Sequence, residues 1–185
     1  SSPESILTCG VLAGRIFKQS RSFYQLRILY LRILAYIVYF CSVSTFEDLK
    51  IPRQFLNAVA DMGFTTPTTI QLKSIPAVLS GQDVMGIGQT GTGKTLAYLL
   101  PLLRILNYAQ GNDARAVILL PTRELALQIG QAFDAVAKYT DLRKVVLFGG
   151  AGAKKQIEEL EKGCDVIISS PGRFLELYVE GYILV

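Results

Sequence analysis

The residues best suited to chemistry form the run GQTGTGKT at positions 88–95. It matches the phosphate-loop pattern GxxxxGK[ST] and stands between an apolar, strand-like run and a helical pattern, as that motif requires. Glycines in such a loop let backbone N–H groups turn toward a phosphate at the positive end of the next helix. The alternative is a glycine-rich turn that binds nothing. The predicted nucleotide-binding residues are Gly88, Gln89, Thr90, Gly91, Thr92, Gly93, Lys94 and Thr95.

Two of these side chains have predicted catalytic roles. Lys94 would place its cation on the β and γ phosphates of a nucleoside triphosphate such as ATP. The Thr95 hydroxyl would coordinate Mg²⁺, which makes it the predicted metal ligand.

Two residues upstream could recognise the base of the nucleotide. Gln71 ends the stretch GFTTPTTIQ, and Phe46 stands 17 residues before its first glycine. A glutamine amide offers a donor beside an acceptor, which matches the N6 and N7 edge of adenine. An aromatic ring can stack on the face of a base. Taken singly, Gln71 would be an ordinary solvated residue and Phe46 a core residue, but their joint spacing favours adenine binding.

Three further elements follow predicted strands and could hold a phosphate backbone. PTRELA begins at Pro121 and places Thr122 and Arg123 where a helix starts, so backbone N–H groups and a guanidinium are available. A glycine pair and the sequence SPGR occupy similar positions. Their predicted contact residues are Gly149, Gly150, Pro171, Gly172 and Arg173. Each element has an ordinary alternative, respectively a helix start, a loop and a turn.

The elements that must position these residues alternate along the chain. Apolar runs predict strands at 83–87, 116–120, 144–148 and 165–169, and a last strand from Tyr182. Helical patterns cover residues 52–62, 70–79, 94–108, 123–139, 153–161 and 172–179. This alternation predicts an α/β fold in which helices flank a parallel sheet. Ligands bind such sheets beyond the carboxyl ends of the strands, where all these loops are expected to lie.

The net charge of +4 comes from the first 43 residues, which carry five basic side chains and one acidic one. The remaining residues carry equal numbers of both signs, so any contact with nucleic acid must be argued from local sites. The cysteines, Cys9, Cys41 and Cys164, lack metal-ligand spacing. We therefore expect a reducing compartment, and the expected localisation is cytoplasmic.

Residues 1–43 are predicted to be an extension outside a domain that spans 44–185. Their apolar run at 26–43 is long enough to cross a bilayer, but it contains Arg27 and Arg32. An arginine near the centre of a span costs about 2.5–3.5 kcal/mol, which several apolar residues are needed to offset, so a membrane span is disfavoured. A basic segment with little acid also resembles an organelle transit peptide. Upstream sequence without a fold of its own is the third alternative.

Taken together, these motifs resemble those of the DEAD-box RNA helicases of superfamily 2 over residues 44–185. Phe46 with GFTTPTTIQ resembles the Q motif, and GQTGTGKT resembles motif I. PTRELA, the glycine pair and SPGR resemble motifs Ia, GG and Ib. The resemblance implies a RecA-like domain that binds ATP and Mg²⁺ and contacts the RNA backbone without regard to base sequence. Gly88 and Ser170 stand where the family usually has Ala and Thr.

The resemblance also implies parts that this sequence does not contain. These are the Asp-Glu-Ala-Asp carboxylates and a second RecA-like domain, the expected partner, with its arginine fingers. Because phosphoryl transfer depends on such metal ligands and cations, the chain by itself is not expected to hydrolyse ATP at a useful rate or unwind RNA. Another P-loop NTPase, or a non-catalytic nucleotide- or RNA-binding module, is the alternative.

Overall fold

Three short parallel strands form the sheet of this computed structural model, which describes residues 45–150 and 152–183. The strands are β1 (Ala116–Leu119), β2 (Lys144–Leu147) and β3 (Val166–Ser169), in the order β1-β3-β2. All four residues of the central strand β3 are buried, as expected of a strand covered on both faces. The register places Leu119, Ser169 and Leu147 in one row, so the loops after them leave the same edge of the sheet.

The predicted helices are confirmed to within three residues at each end, where assignments commonly differ. A 3₁₀ turn at Glu47–Leu49 precedes them. The helices are α1 (Arg53–Asp61), α2 (Thr69–Leu79), α3 (Lys94–Leu106), α4 (Arg123–Val136), α5 (Ala153–Glu161) and α6 (Pro171–Val179). The α/β class with a parallel sheet is likewise confirmed. No helix in the described part of the chain is long and apolar enough to cross a membrane.

The predicted strand at 83–87 is wrong. These residues form no regular element, and Met85 and Ile87 are 88% and 89% exposed. Within the described residues, the strands of the sheet pair only with one another. An apolar extended run without a neighbouring strand cannot satisfy its backbone groups in a ladder, so it remains irregular. The last predicted strand is also not seen at Tyr182 and Ile183, and residues 184–185 lie outside the described part.

An ion cluster links the segments at the end of the sheet where the three strands begin. Asp165 is fully buried and accepts hydrogen bonds from the backbone N–H groups of Gln110 (3.0 Å) and Arg143 (2.9 Å). The guanidinium groups of Arg115 (2.7 Å) and Arg143 (3.4 Å) complete it. Burial acts to raise the pKa of Asp165, but these donors together outweigh it and hold the pKa below its ordinary value. The carboxylate therefore stays charged and fixes the segments that lead into all three strands.

The predictions for residues 1–43, including the membrane-span and transit-peptide alternatives, lie outside the described residues. The domain boundary near residue 44 stays a prediction.

Candidate functional site

The phosphate loop depends on two glycines in the left-handed region, Gly91 at φ 81° and Gly93 at φ 86°. The two differ in their surroundings. A Cβ at Gly93 would lie 2.5 Å from Nε2 of Gln71 and 3.0 Å from Oγ1 of Thr68, whereas a Cβ at Gly91 would meet nothing within 4 Å. Glycine is therefore required at 91 by conformation alone, and at 93 also because α2 approaches the loop closely.

Lys94 begins α3, and its side chain folds back onto the loop. Its Nζ donates to the carbonyl oxygens of Gly88 and Gln89, each at 2.5 Å. The Thr92 hydroxyl also donates to the Gln89 carbonyl, at 2.9 Å. The ammonium is thus held by oxygen acceptors that phosphate oxygens could replace, a donor set that fits a nucleotide phosphate. Thr95 is half-buried in the first turn of α3, while Gln89 and Thr90 are exposed at the loop tip.

Gln71 is 2% exposed and joins α2 to the phosphate loop. Its Oε1 accepts from the backbone N–H of Thr68 at 2.9 Å, and its Nε2 donates to the Gly93 carbonyl at 3.1 Å. The Thr68 hydroxyl donates to the Thr92 carbonyl at 2.9 Å. Thr68 is the N-cap of α2, so a helix cap and a contact with the loop share the same residues. One amide donor and one acceptor lone pair of Gln71 remain beyond these two bonds.

Phe46 is 5% exposed and packs in the main apolar core together with Leu49 and Phe55. This is the core position that the sequence left open as the alternative. Stacking of the Phe46 ring on a base stays a prediction.

The loops after the three strands lie side by side. The Leu120 N–H donates to the Ser169 carbonyl (2.9 Å), and the Ser170 N–H donates to the Leu147 carbonyl (3.1 Å), which continues the row beyond the strands. Pro121 and Thr122 follow β1, and the Thr122 hydroxyl caps α4 by accepting from the N–H of Leu125. The edge predicted for these elements is therefore formed, although the phosphate loop is not attached to a strand of this sheet.

Arg123 and the glycine pair meet at one aromatic ring. The guanidinium carbon of Arg123 lies 4.4 Å from the ring centroid of Phe148, the residue that precedes Gly149. This is a cation–π distance. Gly149 and Gly150 are exposed, Gly150 has a φ of 80°, and a Cβ on either would meet nothing within 4 Å. The loop therefore leaves open space for a ligand to approach its backbone.

The SPGR element, residues 170–173, presents a different surface from the one expected. Pro171 and Gly172 are exposed at the start of α6, but Arg173 is only 8% exposed. The Arg173 Nε lies 3.5 Å from the Glu176 carboxylate, one turn along the helix. The guanidinium thus lies inside the structure beside a carboxylate rather than as an open cation. Contact of Arg173 with RNA stays a prediction.

Sequence reasoning did not assign roles to Thr68 and Phe148, which contact predicted site residues, or to Gln156, which bonds to Phe148. Thr68 could have been found, because Thr-x-x-Gln before an apolar run is the capping-box pattern. Phe148 and Gln156 carry no such local pattern.

For Mg²⁺, the described residues contribute the Thr95 hydroxyl as the predicted ligand. Across residues 45–150 and 152–183 there is no group of three or more acidic, cysteine or histidine side chains that could hold a metal ion. A hydroxyl at the helix start fits the way a phosphate-bound Mg²⁺ keeps most of its ligands from phosphate and water.

Comparison with known proteins agrees with this geometry. Residues 68–183 match the family model for the DEAD/DEAH box helicase. The chain is 40% identical over 136 residues to the ATP-dependent RNA helicase DeaD of Mycobacterium tuberculosis, an alignment that covers 73% of this chain and 24% of that protein. It is 42% identical over 132 residues to the DEAD-box ATP-dependent RNA helicase RhpA of Helicobacter pylori, covering 71% and 26%.

A solved structure shares the fold. The DEAD box protein from Methanococcus jannaschii superposes with a TM-score of 0.71 at 32% identity, over 76% of this chain and 38% of that one. The chain thus spans about a quarter of the length of the two relatives above. The family model alone covers well over half of the sequence, so the resemblance predicted from the motifs is confirmed. The chain belongs to the DEAD/DEAH box helicase family.

Proposed function

We propose that this chain binds ATP at the phosphate loop and the backbone of RNA along the loops after the three strands, as part of an ATP-dependent RNA helicase. The observation that supports the proposal is the contact of Gln71, the residue proposed to recognise adenine, with the Gly93 carbonyl of the phosphate loop. Membership of the helicase family argues against the alternative of another class of P-loop NTPase. ATP-driven unwinding by the whole protein, together with a second RecA-like domain, belongs to the same proposal.

Nucleotide binding would exchange two sets of contacts in the loop. Lys94 would give up the carbonyl oxygens of Gly88 and Gln89 for β and γ phosphate oxygens, which are stronger acceptors because they are charged. Gln71 is 2% exposed while its Nε2 is bonded to Gly93. Separation of the loop from Gln71 would therefore expose the amide to adenine. The chemistry that Mg²⁺ supplies when bound is neutralisation of the phosphate charge, with Thr95 as its protein ligand.

Fluorescent analogues of ADP, ATP, GDP and GTP titrated against the chain would test the nucleotide part. We expect adenine nucleotides to bind more tightly than guanine nucleotides, because the Gln71 amide matches the adenine edge. Lys94→Ala should weaken the binding of ADP and GDP by a similar factor, since the lysine would contact only the phosphates of the nucleotide.

Gln71→Ala should narrow the gap between adenine and guanine nucleotides. It also removes the bond to Gly93, so it needs a control that disturbs the same loop without touching the amide. Thr68→Val is that control, because it keeps the side-chain shape and removes the hydroxyl bonded to the Thr92 carbonyl. We expect Thr68→Val to weaken the binding of adenine and guanine nucleotides by the same factor. Equal affinities for adenine and guanine nucleotides in the parent chain would refute the role of Gln71.

The RNA part rests on exposed groups at one edge of the sheet. The accessible groups there are the backbone of Gly149 and Gly150, the Pro171–Gly172 turn and the Arg123 guanidinium. Contacts of this kind reach phosphates and sugars rather than base edges, so binding should be insensitive to sequence. The described residues place few cations at this edge, so we expect only a shallow dependence on salt.

Fluorescence anisotropy with labelled single-stranded RNA would test this part. Arg123→Gln should weaken binding and lower the slope of log K against log salt by about 0.7, the value for one phosphate contact with a single strand. Arg53→Gln is the matched control, since Arg53 is an exposed arginine in the first turn of α1. A parent chain that binds RNA no better than an unrelated neutral protein, or equal losses in the two variants, would refute the assignment.

A further inference from the structure

Gln156 forms hydrogen bonds with both backbone groups of Phe148, the N–H and the carbonyl. Its Oε1 accepts from the Phe148 N–H at 3.1 Å, and its Nε2 donates to the Phe148 carbonyl at 3.1 Å. Gln156 lies in α5 and is 6% exposed, although most glutamines are solvent-exposed. The side-chain amide thus supplies one donor and one acceptor to a single residue, as a neighbouring strand would.

The position of this pair gives it a consequence for the loop. β2 is an edge strand of the described sheet, and Phe148 is the first residue after it. At a sheet edge, backbone N–H and C=O groups have no strand partner and can shift unless something else pairs with them. Gly149 and Gly150 follow at once and have no side chains to fix them. Gln156 therefore sets the point from which the glycine pair leaves the sheet.

The same residue, Phe148, also supports the arginine of the neighbouring loop. The Arg123 guanidinium lies 4.4 Å from the centroid of the Phe148 ring, and Arg123 is otherwise exposed. A shift of the Phe148 backbone would move the ring and with it the surface on which the guanidinium rests. One buried amide is thus connected to two elements on two different loops.

We propose that Gln156 is a positioning residue for RNA binding, which acts through Phe148 to hold both the Gly149–Gly150 backbone and the Arg123 guanidinium in place. This inference rests on the proposed contact of RNA with the loops after the three strands. Gln156 itself does not touch the RNA. Its effect is on the geometry of the groups that do.

The test compares Gln156→Met with Gln156→Glu. Methionine has a similar length but neither hydrogen-bonding group, and we expect it to weaken binding about three- to tenfold, the loss of one or two ordinary hydrogen-bonded contacts. The probe is a labelled oligouridylate of about 15 nucleotides, measured by anisotropy. Gln131→Met, an exposed helical glutamine, is the matched control and should bind like the parent chain.

The glutamate variant gives a signal that a merely structural role would not. As a carboxylate it still accepts from the Phe148 N–H but faces the Phe148 carbonyl without a proton to donate. When protonated it regains the donor, and burial raises the pKa at which this happens. The chain contains no histidine, so few other groups titrate between about pH 5 and pH 8. RNA binding by Gln156→Glu, relative to the parent at each pH, should therefore recover as the pH falls, whereas Gln156→Met should not.

A double-mutant cycle and amide exchange complete the test. If Gln156 acts through Phe148, the loss in Gln156→Met combined with Arg123→Gln should be smaller than the product of the single losses. Exchange of the Phe148 amide should be faster in Gln156→Met without RNA present. Strictly multiplicative losses, or faster exchange with unchanged RNA affinity, would overturn the positioning role. Absence of RNA binding by the parent chain would instead overturn the proposed function on which the inference rests.

Discussion

The replacement of Gly93 by alanine tests the central contact of the candidate site, the approach of Gln71 to the phosphate loop. The new Cβ would lie 2.5 Å from Nε2 and 3.2 Å from Cδ of Gln71, and 3.0 Å from Oγ1 of Thr68. Real Cβ atoms do not tolerate the first of these distances, so the Gln71 side chain must move. Gln71 is 2% exposed, and a movement would break its bonds to the Gly93 carbonyl and the Thr68 N–H.

The expected cost combines conformation and contact. Gly93 has a φ of 86°, and an alanine in the left-handed region costs about 1–2 kcal/mol. Each of the two hydrogen bonds contributes about 0.5–1.5 kcal/mol net. Gly91→Ala is the matched control, because Gly91 has a φ of 81° with nothing within 4 Å of the added Cβ, so it carries the conformational cost alone. Gly93→Ala should therefore lower the free energy of unfolding by about 1–3 kcal/mol more than Gly91→Ala does.

Urea denaturation followed by circular dichroism would measure both variants. Gln71→Ala removes the atoms with which the new Cβ collides, so the double variant with Gly93→Ala should cost less than the sum of the single variants. If Gly93→Ala and Gly91→Ala were equally destabilising, and the double variant additive, Gln71 would not approach the loop as described. The exchange of contacts that we propose for nucleotide binding would then lose its structural basis.

Two other substitutions test the ion cluster where the strands begin and the exposed apolar run at 83–87. Asp165→Asn should lower the free energy of unfolding at pH 7 by about 2–3 kcal/mol, less than for a fully buried pair because both arginines are partly exposed. Because the folded-state pKa of Asp165 is lowered, its contribution is complete above the ordinary aspartate pKa and is lost as the pH falls through the folded value. The difference from the parent chain should therefore shrink on acidification below about pH 4, and a constant difference would contradict the ion cluster. Met85→Ser should change the free energy of unfolding by no more than about 0.5 kcal/mol, since Met85 is 88% exposed, and should reduce light scattering at high concentration. Unchanged scattering would show that the exposed apolar segment does not drive association.

Much of the fold and the phosphate loop could be predicted from the sequence because the signals are local. Helix ends follow from caps and periodicity within a few residues, and the strands at 116–119, 144–147 and 166–169 are short apolar runs between helical patterns. The placement of three candidate RNA-contacting loops at one edge follows from the parallel order of these strands. The glycine at 93 is likewise contained in the phosphate-loop pattern, in which position 91 is variable.

The tertiary structure decided the features that depend on residues far apart in the chain. The run at 83–87 has a strand-like composition, but a strand also needs a partner, and pairing is set by the whole sheet. Packing buries Phe46 and Arg173, which their local sequence does not show, and their predicted ligand contacts stay predictions. The bonds of Gln71 to Gly93 and of Gln156 to Phe148 join residues 22 and 8 positions apart, respectively. No local pattern encodes such contacts, because an amide is free to bond with whichever backbone group the packed helices bring within reach.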